Sequence, residues 1–598
     1  MTSLERLHNR IDLVAVPYTD RGSRLLLFRE GQYLSVRLAE RWEKWQNEYG
    51  HYRQRPPIIE KFRFLDSEGN PLDFEVDTYP HVVKLSTAAG MFGWTFADVE
   101  TMLVRLPAGK CGFEFQALGE SGGTDRRGGT MHGKRNIAYT TAAEILSNKL
   151  TVLEEDKGHI RVSVQLQAQE GDTLLLNVTP RLGFNRSLPT ADALIERNRL
   201  TWETWFNAAP PVLDEYREQY LYAWWIMRAG LLNQRYFFTR EALVPSKIHY
   251  IGVWQWDQFF HALAYRHIDT NLAEDQIRIV LDHQREDGML PDAIHDEGLV
   301  RRLNFPVEAD VTKPPLIAWA ALKLYDHSGH LDFLEEVYEP IIRWHDWWLR
   351  DNRNDCGLCE YRHPFSSGLD DSPLWDDGMP VVAPDLNTYL CLQSESLARI
   401  ASLIGDGAAA AKFLQEANDR AKQMTDVLWD DKLGIFKSLH LNKTVDVMTP
   451  FSLLPLITGR VPEEMAKRLI ARLTDPQQFW TEHKIPSVAI NDPKFDGNKM
   501  WRGPMWPNIN HLFVEALTRV GRVDLAGELR RSTLRTIQSH KDIYEYYNPL
   551  DGTRPPKAAP IFGWSSAVFI DLAIQETRSY TDGAGTGAVS EVNSQATS

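Results

Sequence analysis

The sequence predicts a mainly α protein: an (α/α)6 toroid preceded by an N-terminal β-sandwich. Three observations point there. Residues 10–190 alternate on the two-residue period of strands, apolar positions from Thr190 onward recur at helical spacing, and the helical segments follow one another without strands between them. A chain of 598 residues also exceeds the ~250–300 residues that one core usually serves, so two units are expected.

The N-terminal region reads as short strands. RLLLFREGQYLSVRL, HVVKLSTAAG, HIRVSVQLQ and TLLLNVTPRL set alternating or β-branched runs between Gly, Asp and Pro. Gly119 to Asn136, GESGGTDRRGGTMHGKRN, is glycine-rich and charged and predicts a long loop. The stretch TADALIERNRLTWETWFN predicts a linker helix over 191–210, between a first domain at 1–190 and a second at 211–578.

The second domain opens with EQYLYAWWIMRAGLLNQ, QFFHALAYRH, LAEDQIRIVLDHQ and PLIAWAALKLYDHSG. It continues through LDFLEEVYEPIIRWHDWWLRD, LNTYLCLQSESLARIASLIG, AAAAKFLQEANDRAKQMTDVLW, EEMAKRLIARL, NINHLFVEALTRVG, LAGELRRSTLRTIQSH and SSAVFIDLAIQ. Each is an amphipathic helix followed by a Gly-, Pro- or Asp-rich connection. Paired helices joined in this way close into a toroid whose loops at one rim build a cleft. Residues 579–598 are small and polar and predict a disordered tail.

Composition narrows the function. A net charge of -15 argues against nucleic acid or an anionic membrane surface as a partner, because both require clustered Lys and Arg. No run approaches the ~20 apolar residues of a membrane span, and the first residues lack an apolar signal core, so a cytoplasmic location is expected. Nineteen tryptophans and twenty tyrosines, many inside polar motifs, suit a cleft that stacks on the C–H faces of sugars. The expected partner is therefore a small carbohydrate, with a homo-oligomer left open. The four cysteines make no disulfide framework, and Cys356-Gly-Leu-Cys359 has no second pair at zinc spacing, so it reads as two small residues in a turn. No cofactor is expected: a GxxxxGK[ST] loop and a GxGxxG after a strand are both missing.

Polar and aromatic loops at helix boundaries carry the candidate chemistry: YIGVWQWDQFF, QREDGMLP, TKPPLIAW, FSSGLDDSPLWDDG, KMWRGPMWPNINH and YEYYNPLDGTRPP. Glycosidic cleavage needs an acid to protonate the leaving oxygen and a second carboxylate to activate water or attack the anomeric carbon. Asp370, Asp371, Asp376 and Asp377 offer one set of carboxylates and Glu545, among tyrosines, offers another. A carboxylic acid among aromatic rings loses hydration of its charged form, which raises its pKa and suits it to proton transfer. The spacing does not match a calcium loop.

Four segments taken in order, Tyr250-x3-Trp254-x-Trp256-Asp257, SGLDDSP, WRGPMW and EYYNPLDG, resemble the motifs of glycoside hydrolase family 63 and the related family 37 trehalases. The likeness covers residues 210–578 and is nearest to the branch of mannosylglycerate and glucosylglycerate hydrolases and bacterial amylo-α-1,6-glucosidase-like chains. It implies an (α/α)6 domain, an inverting mechanism, Asp370 as general acid and Glu545 as general base. By the same likeness Tyr250, Trp254, Trp256, Asp257, Trp501 and Trp506 hold the sugar, and Gln284, Lys313 and Gly368 join them on the substrate loops. Asp371, Asp376 and Asp377 read as loop or helix-cap residues. Trp254 and Trp256 alternate, so one packs while the other faces substrate, and Arg502 braces its turn.

Two positions depart from the family pattern. Ser366 stands where the family has a glutamate, which predicts a lower pKa for Asp370 or open space beside it. Lys313 stands where the small-substrate hydrolases have a glutamine, which predicts a salt bridge to an acidic neighbour or a contact with an anionic or hydroxyl-rich substrate. The rival readings are a trehalase, an α-rhamnosidase, a glycoside phosphorylase, and a carbohydrate-binding protein without turnover.

Overall fold

The computed structural model describes residues 1–40, 56–153 and 158–594, with side chains through residue 581. Two compact units divide the chain. One is Met1–Ala209 with Arg228–Asn233 and Lys247–Ile251, and the other is Pro210–Met227, Gln234–Ser246 and Gly252–Ser598.

The first unit is built on two antiparallel sheets. Six strands pair in the spatial order Leu25–Glu30, Tyr33–Leu38, Ile59–Leu65, Gly109–Leu118, His159–Ala168 and Glu144–Val152. Eight more pair in the order Glu75–Tyr79, Val82–Thr87, Gly90–Asp98, Thr101–Arg105, Thr173–Thr179, Asn136–Thr141, Gly128–His132 and Ser121–Asp125. Alternation along each strand collects aromatic rings on one face, and the two faces meet. Phe64 stacks on Phe92 at 3.8 Å, Phe62 meets Trp94 edge-on at 5.0 Å, and Phe113 meets Tyr139 at 6.0 Å.

One expectation fails here. The Gly119–Asn136 stretch, expected to be a loop, supplies the strands Ser121–Asp125 and Gly128–His132 at the edge of the larger sheet. Its glycines permit this by close approach: a β carbon on Gly128 would stand 2.0 Å from the Tyr139 carbonyl oxygen, and one on Gly129 would stand 2.5 Å from the Tyr139 hydroxyl.

The Ala191–Ala208 helix belongs to this first unit, where Ala191 and Leu194 pack against Leu103 and Leu175. Later segments return to it for electrostatic reasons. The Arg228 guanidinium lies 4.8 Å over Trp202, and Lys247 Nζ donates to the carbonyls of Ser23 at 2.7 Å and Asp20 at 3.0 Å.

The second unit is helical. Helix pairs run Gln255–Tyr265 with Thr270–Leu281, Ile317–Ser328 with Leu331–Asp351, Pro384–Leu403 with Gly407–Leu428, and Pro507–Arg519 with Val523–Gln538. Contacts among the first members run in sequence from Gln255–Tyr265 through Ile317–Ser328, Pro384–Leu403, the short Leu454–Thr458 turn and Pro507–Arg519 to Gly563–Ser594. The last of these touches the first, so the circuit closes. Pro384 and Pro507 open their helices at the position where a missing N–H costs nothing. The Gly563–Ser594 helix extends past the expected end of the domain at 578. Among the described residues no helix is long and apolar enough to cross a membrane.

Candidate active site

Apart from QREDGMLP, which follows the Thr270–Leu281 helix, the predicted loops lie at or just before the N-termini of the helices in this circuit, and backbone pairing draws several of them together. The strand Val253–Trp254 pairs with Ala293–His295, matching Trp254 with Ala293, and Gln255 N donates to Asp292 O at 3.1 Å. Asp292 thereby arrives beside the WQWD segment. Gln255 in turn holds the approach to the double proline: its Oε1 accepts from Thr312 Oγ1 at 2.9 Å and from Lys313 N at 3.0 Å.

The SGLD loop joins the same cluster. Thr312 N donates to Ser366 Oγ at 3.3 Å, and Lys313 Nζ donates to Phe365 O at 2.6 Å. Gly368 holds φ 72° at the end of a short 3-10 turn, a left-handed conformation natural to glycine, and its bare Cα faces the Trp256 ring. Trp256 is 2 % exposed and packs under the loop, whereas Trp254 is only half-buried and meets His295 edge-on at 5.4 Å.

One lysine and three carboxylates form the charged centre. Lys313 Nζ stands 2.8 Å from Asp292 Oδ1 and 3.9 Å from Asp370 Oδ1. Burial alone would lower the lysine's pKa, but Asp292, Asp370 and Asp257 outweigh it and hold the ammonium above its ordinary value. Burial raises Asp292 against the opposing field of Lys313. It also pushes Asp257 well above the carboxylate range, helped by Asp292 and Asp370.

Asp370 is pushed up to about 7, first by burial, with Lys313 opposing and Asp292 and Asp371 reinforcing. Its Oδ1, like Asp292 Oδ1, is buried without a hydrogen-bond partner, so the two differ in their distance from the Lys313 ammonium. A serine at 366 thus does not leave Asp370 an ordinary carboxylate. Ser366 is buried and its hydroxyl oxygen serves the Thr312 N–H, while desolvation sets the proton affinity of Asp370.

The other aspartates of the loop separate by environment. Asp371 Oδ1 accepts from Trp501 N at 2.8 Å, and Asp376 takes both arms of the Arg502 guanidinium at 2.8 Å each, which holds its carboxyl below the usual range. Asp377 is exposed. Arg502 thus reaches beyond its own turn, and its contacts with Asp371 and Asp376 tie the SGLDDSP loop to the WRGPMW loop.

The WRGPMW loop is joined in turn to the loop of Glu545. Met505 and Tyr547 exchange backbone hydrogen bonds at 2.8 and 3.0 Å. Glu545 is 4 % exposed; its backbone N donates to Ala559 O at 2.9 Å and its Oε2 accepts from Ala559 N at 3.2 Å. The Tyr546 hydroxyl, itself raised by burial, feels both Glu545 and Asp371, so the field of each carboxylate reaches the same ring.

Two expected sugar platforms have other partners. Trp501 and Trp506 stack on each other at 3.6 Å with 1° between planes, and they are 1 % and 2 % exposed. Each spends a face on the other, so the pair is a buried floor. Gln284 uses its amide N–H groups on Gly288 O and Pro340 O, both at 2.8 Å, which ties its own loop to the Leu331–Asp351 helix. Tyr250 is half-buried in the Lys247–Ile251 segment, grouped with the first unit, where its ring lies 6.2 Å from His249.

Sequence reasoning missed Asp292 and Gln255. Gln255 sits between the two tryptophans of WQWD, and Asp292 directly follows the QREDGMLP loop. A cavity of about 570 Å³ lies elsewhere, lined by Trp319, Lys323, Glu395, Arg399, Glu515 and their neighbours. Its charges are already satisfied, Lys323 by Glu515 at 2.9 Å and Glu395 by Arg460 at 2.8 Å.

Comparison with known proteins places this geometry in context. A family model described as the mannosylglycerate hydrolase MGH1-like glycoside hydrolase domain matches residues 250–565. Mannosylglycerate hydrolase of Rubrobacter radiotolerans is 24% identical over 423 residues, covering 56% of this chain and 94% of that protein. Glucosylglycerate hydrolase of Mycolicibacterium hassiacum is 23% identical over 413 residues, covering 54% and 92%. A solved bacterial glucoamylase, complexed with acarbose, matches at TM-score 0.59 and 11% identity over 94% of both chains, a likeness of fold alone.

Proposed function

Because the chain belongs to the mannosylglycerate hydrolase MGH1-like family of glycoside hydrolases, whose model covers residues 250–565, we propose that it cleaves a small α-mannoside or α-glucoside with inversion, using Asp370 as general acid and Glu545 as general base. The chain is a glycoside hydrolase. The observation that carries the assignment of roles is the state of Asp370, a half-buried carboxyl pushed up to about 7 whose inner oxygen, Oδ1, lacks a hydrogen bond. An acid that still carries its proton at neutral pH can give it to a leaving oxygen.

In this reading the Asp370 proton passes to the glycosidic oxygen as the bond from that oxygen to the anomeric carbon breaks. Glu545 takes a proton from a water whose oxygen attacks the anomeric carbon from the opposite face. Inversion calls for carboxyls ~6.5–9.5 Å apart, which leaves room for the water. We read the closed circuit of helices as the inner ring of an (α/α)6 toroid and the two facing sheets as a β-sandwich, a reading supported by the full-length likeness to the glucoamylase.

The names of the relatives suggest the substrates to try first: mannosylglycerate and glucosylglycerate, then glucosylglycerol and short gluco-oligosaccharides. Lys313 is occupied by Asp292, so an acidic aglycone must find its cation elsewhere. A proton NMR screen of α-linked glycosides tests the proposal. The expected result is phosphate-independent hydrolysis with the β anomer appearing first. A first-released α anomer would overturn inversion, and a requirement for phosphate would replace hydrolysis by phosphorolysis.

A further inference from the structure

The centre beside Asp370 contains more charge than a single acid requires, and its arrangement is unequal. Lys313 has a side chain only 4 % exposed, and its ammonium reaches Asp292 at 2.8 Å but Asp370 at 3.9 Å. Its remaining short contact is the Phe365 carbonyl at 2.6 Å, and its backbone is held by Gln255 at 3.0 Å. The ammonium is therefore committed to Asp292 and to the backbone of the SGLD loop. The third carboxylate, Asp257, is 4 % exposed and lies within the field of the same lysine.

We propose that Lys313 and Asp292 form a positioning pair that tunes the protonation of Asp370: Asp292 takes most of the lysine charge, so that Asp370, 3.9 Å from the ammonium, keeps the proton that desolvation favours. The physical reason is the unequal division of one positive charge. In a desolvated site a cation bonded to one carboxylate stabilises a second one only partly, while the ionised first carboxylate repels charge on the second. The Phe365 carbonyl fixes the ammonium against the loop that carries Asp370, so the spacing of the three groups is built into the fold. Among the described residues the charged groups facing Asp370 are Lys313, Asp292 and Asp371, and Asp257 lies within reach of its field. Of these, Asp371 is engaged by the Trp501 N–H.

The inference rests on the reading of Asp370 as general acid, and the two can fail separately. The alkaline limb of kcat/KM reports the ionisation of that acid. Removing Asp292 with Asp292→Asn also frees Lys313 to pair with Asp370, so the limb should move down by about 1 pH unit or more. Removing the cation with Lys313→Gln should move it up by about as much. The double variant should fall between the two, and Lys313→Arg, which keeps the charge, should lie nearer the parent than Lys313→Gln. A role confined to stability would lower activity in every variant without moving the limb in opposite directions.

Carbon-13 NMR titration of the Asp370 carboxyl follows the same shifts whether or not a variant turns over. Opposite displacements in the two single variants support the proposal. Unmoved or parallel displacements overturn it, even if Asp370→Asn is inactive. Full activity of Asp370→Asn overturns the assignment of the acid, and the titration still decides the charge-setting role. If a single variant does not fold, the double variant, which removes both charges together, must then titrate close to the parent, and a displacement as large as either single shift would overturn the pair.

Discussion

A β carbon on Gly368 would stand 2.3 Å from Cζ2 of Trp256, so the tryptophan ring occupies the space that any side chain at 368 would need. The glycine also sits at φ 72°. Gly368→Ala should therefore destabilise the protein by about 2–5 kcal/mol, combining left-handed strain with overpacking. Urea unfolding measures this. Adding Trp256→Leu should recover part of the steric share, so that the two changes together cost less than their sum.

Asp370→Asn and Glu545→Gln should each reduce turnover about 10²–10⁴-fold while leaving the circular dichroism spectrum and thermal midpoint near the parent values. Side-chain shape is kept in both changes, so a loss of activity reports lost proton transfer. Near-parent turnover in both would remove these carboxylates from the mechanism.

The pH dependence follows from the direction of the shifts. Asp370 must be protonated to act as an acid, so kcat/KM should fall as pH rises through about 7. Stability follows a related rule. Burial raises Asp370 and Asp385 to about 7 and Asp542 to about 6, so the folded state holds protons that the unfolded chain has already released. Their contribution is fully present below the ordinary aspartate value of 3.8 and is lost as pH rises through about 6 to 7. Urea unfolding of Asp385→Asn at pH 5 and pH 8 should show a smaller pH difference than the parent.

The stacked pair Trp501 and Trp506 should act through stability. Trp501→Ala removes a buried ring lying 3.6 Å from its partner and should cost about 3–5 kcal/mol. Trp501→Phe, which keeps an aromatic face, should cost less and retain KM close to the parent. A large rise in KM with an unchanged unfolding midpoint would return Trp501 to a direct role in sugar binding.

Much of this arrangement is legible along the chain. The change from two-residue to helical periodicity marks the two kinds of unit, and the order of the WxWD, SGLD, WRGPMW and EYYNP motifs identifies the loops. The glycine-rich 119–136 stretch misleads because its glycines serve close approach to Tyr139, a neighbour that only the sheet supplies. Gln284 is legible only in part: its Nε2 is committed to two backbone carbonyls, while its Oε1 is buried without a hydrogen bond.

By itself the sequence determined most of the strands and helices and the family, and singled out Asp370 as the candidate acid, because periodicity and motif order are properties of neighbouring residues. Tertiary structure alone decided that Lys313 bonds Asp292, that Trp501 covers Trp506, and that Ser366 turns its hydroxyl to Thr312. Those outcomes depend on desolvation and on distances between loops far apart in the chain, which leave Asp370 Oδ1 3.9 Å from Lys313 and without a hydrogen bond.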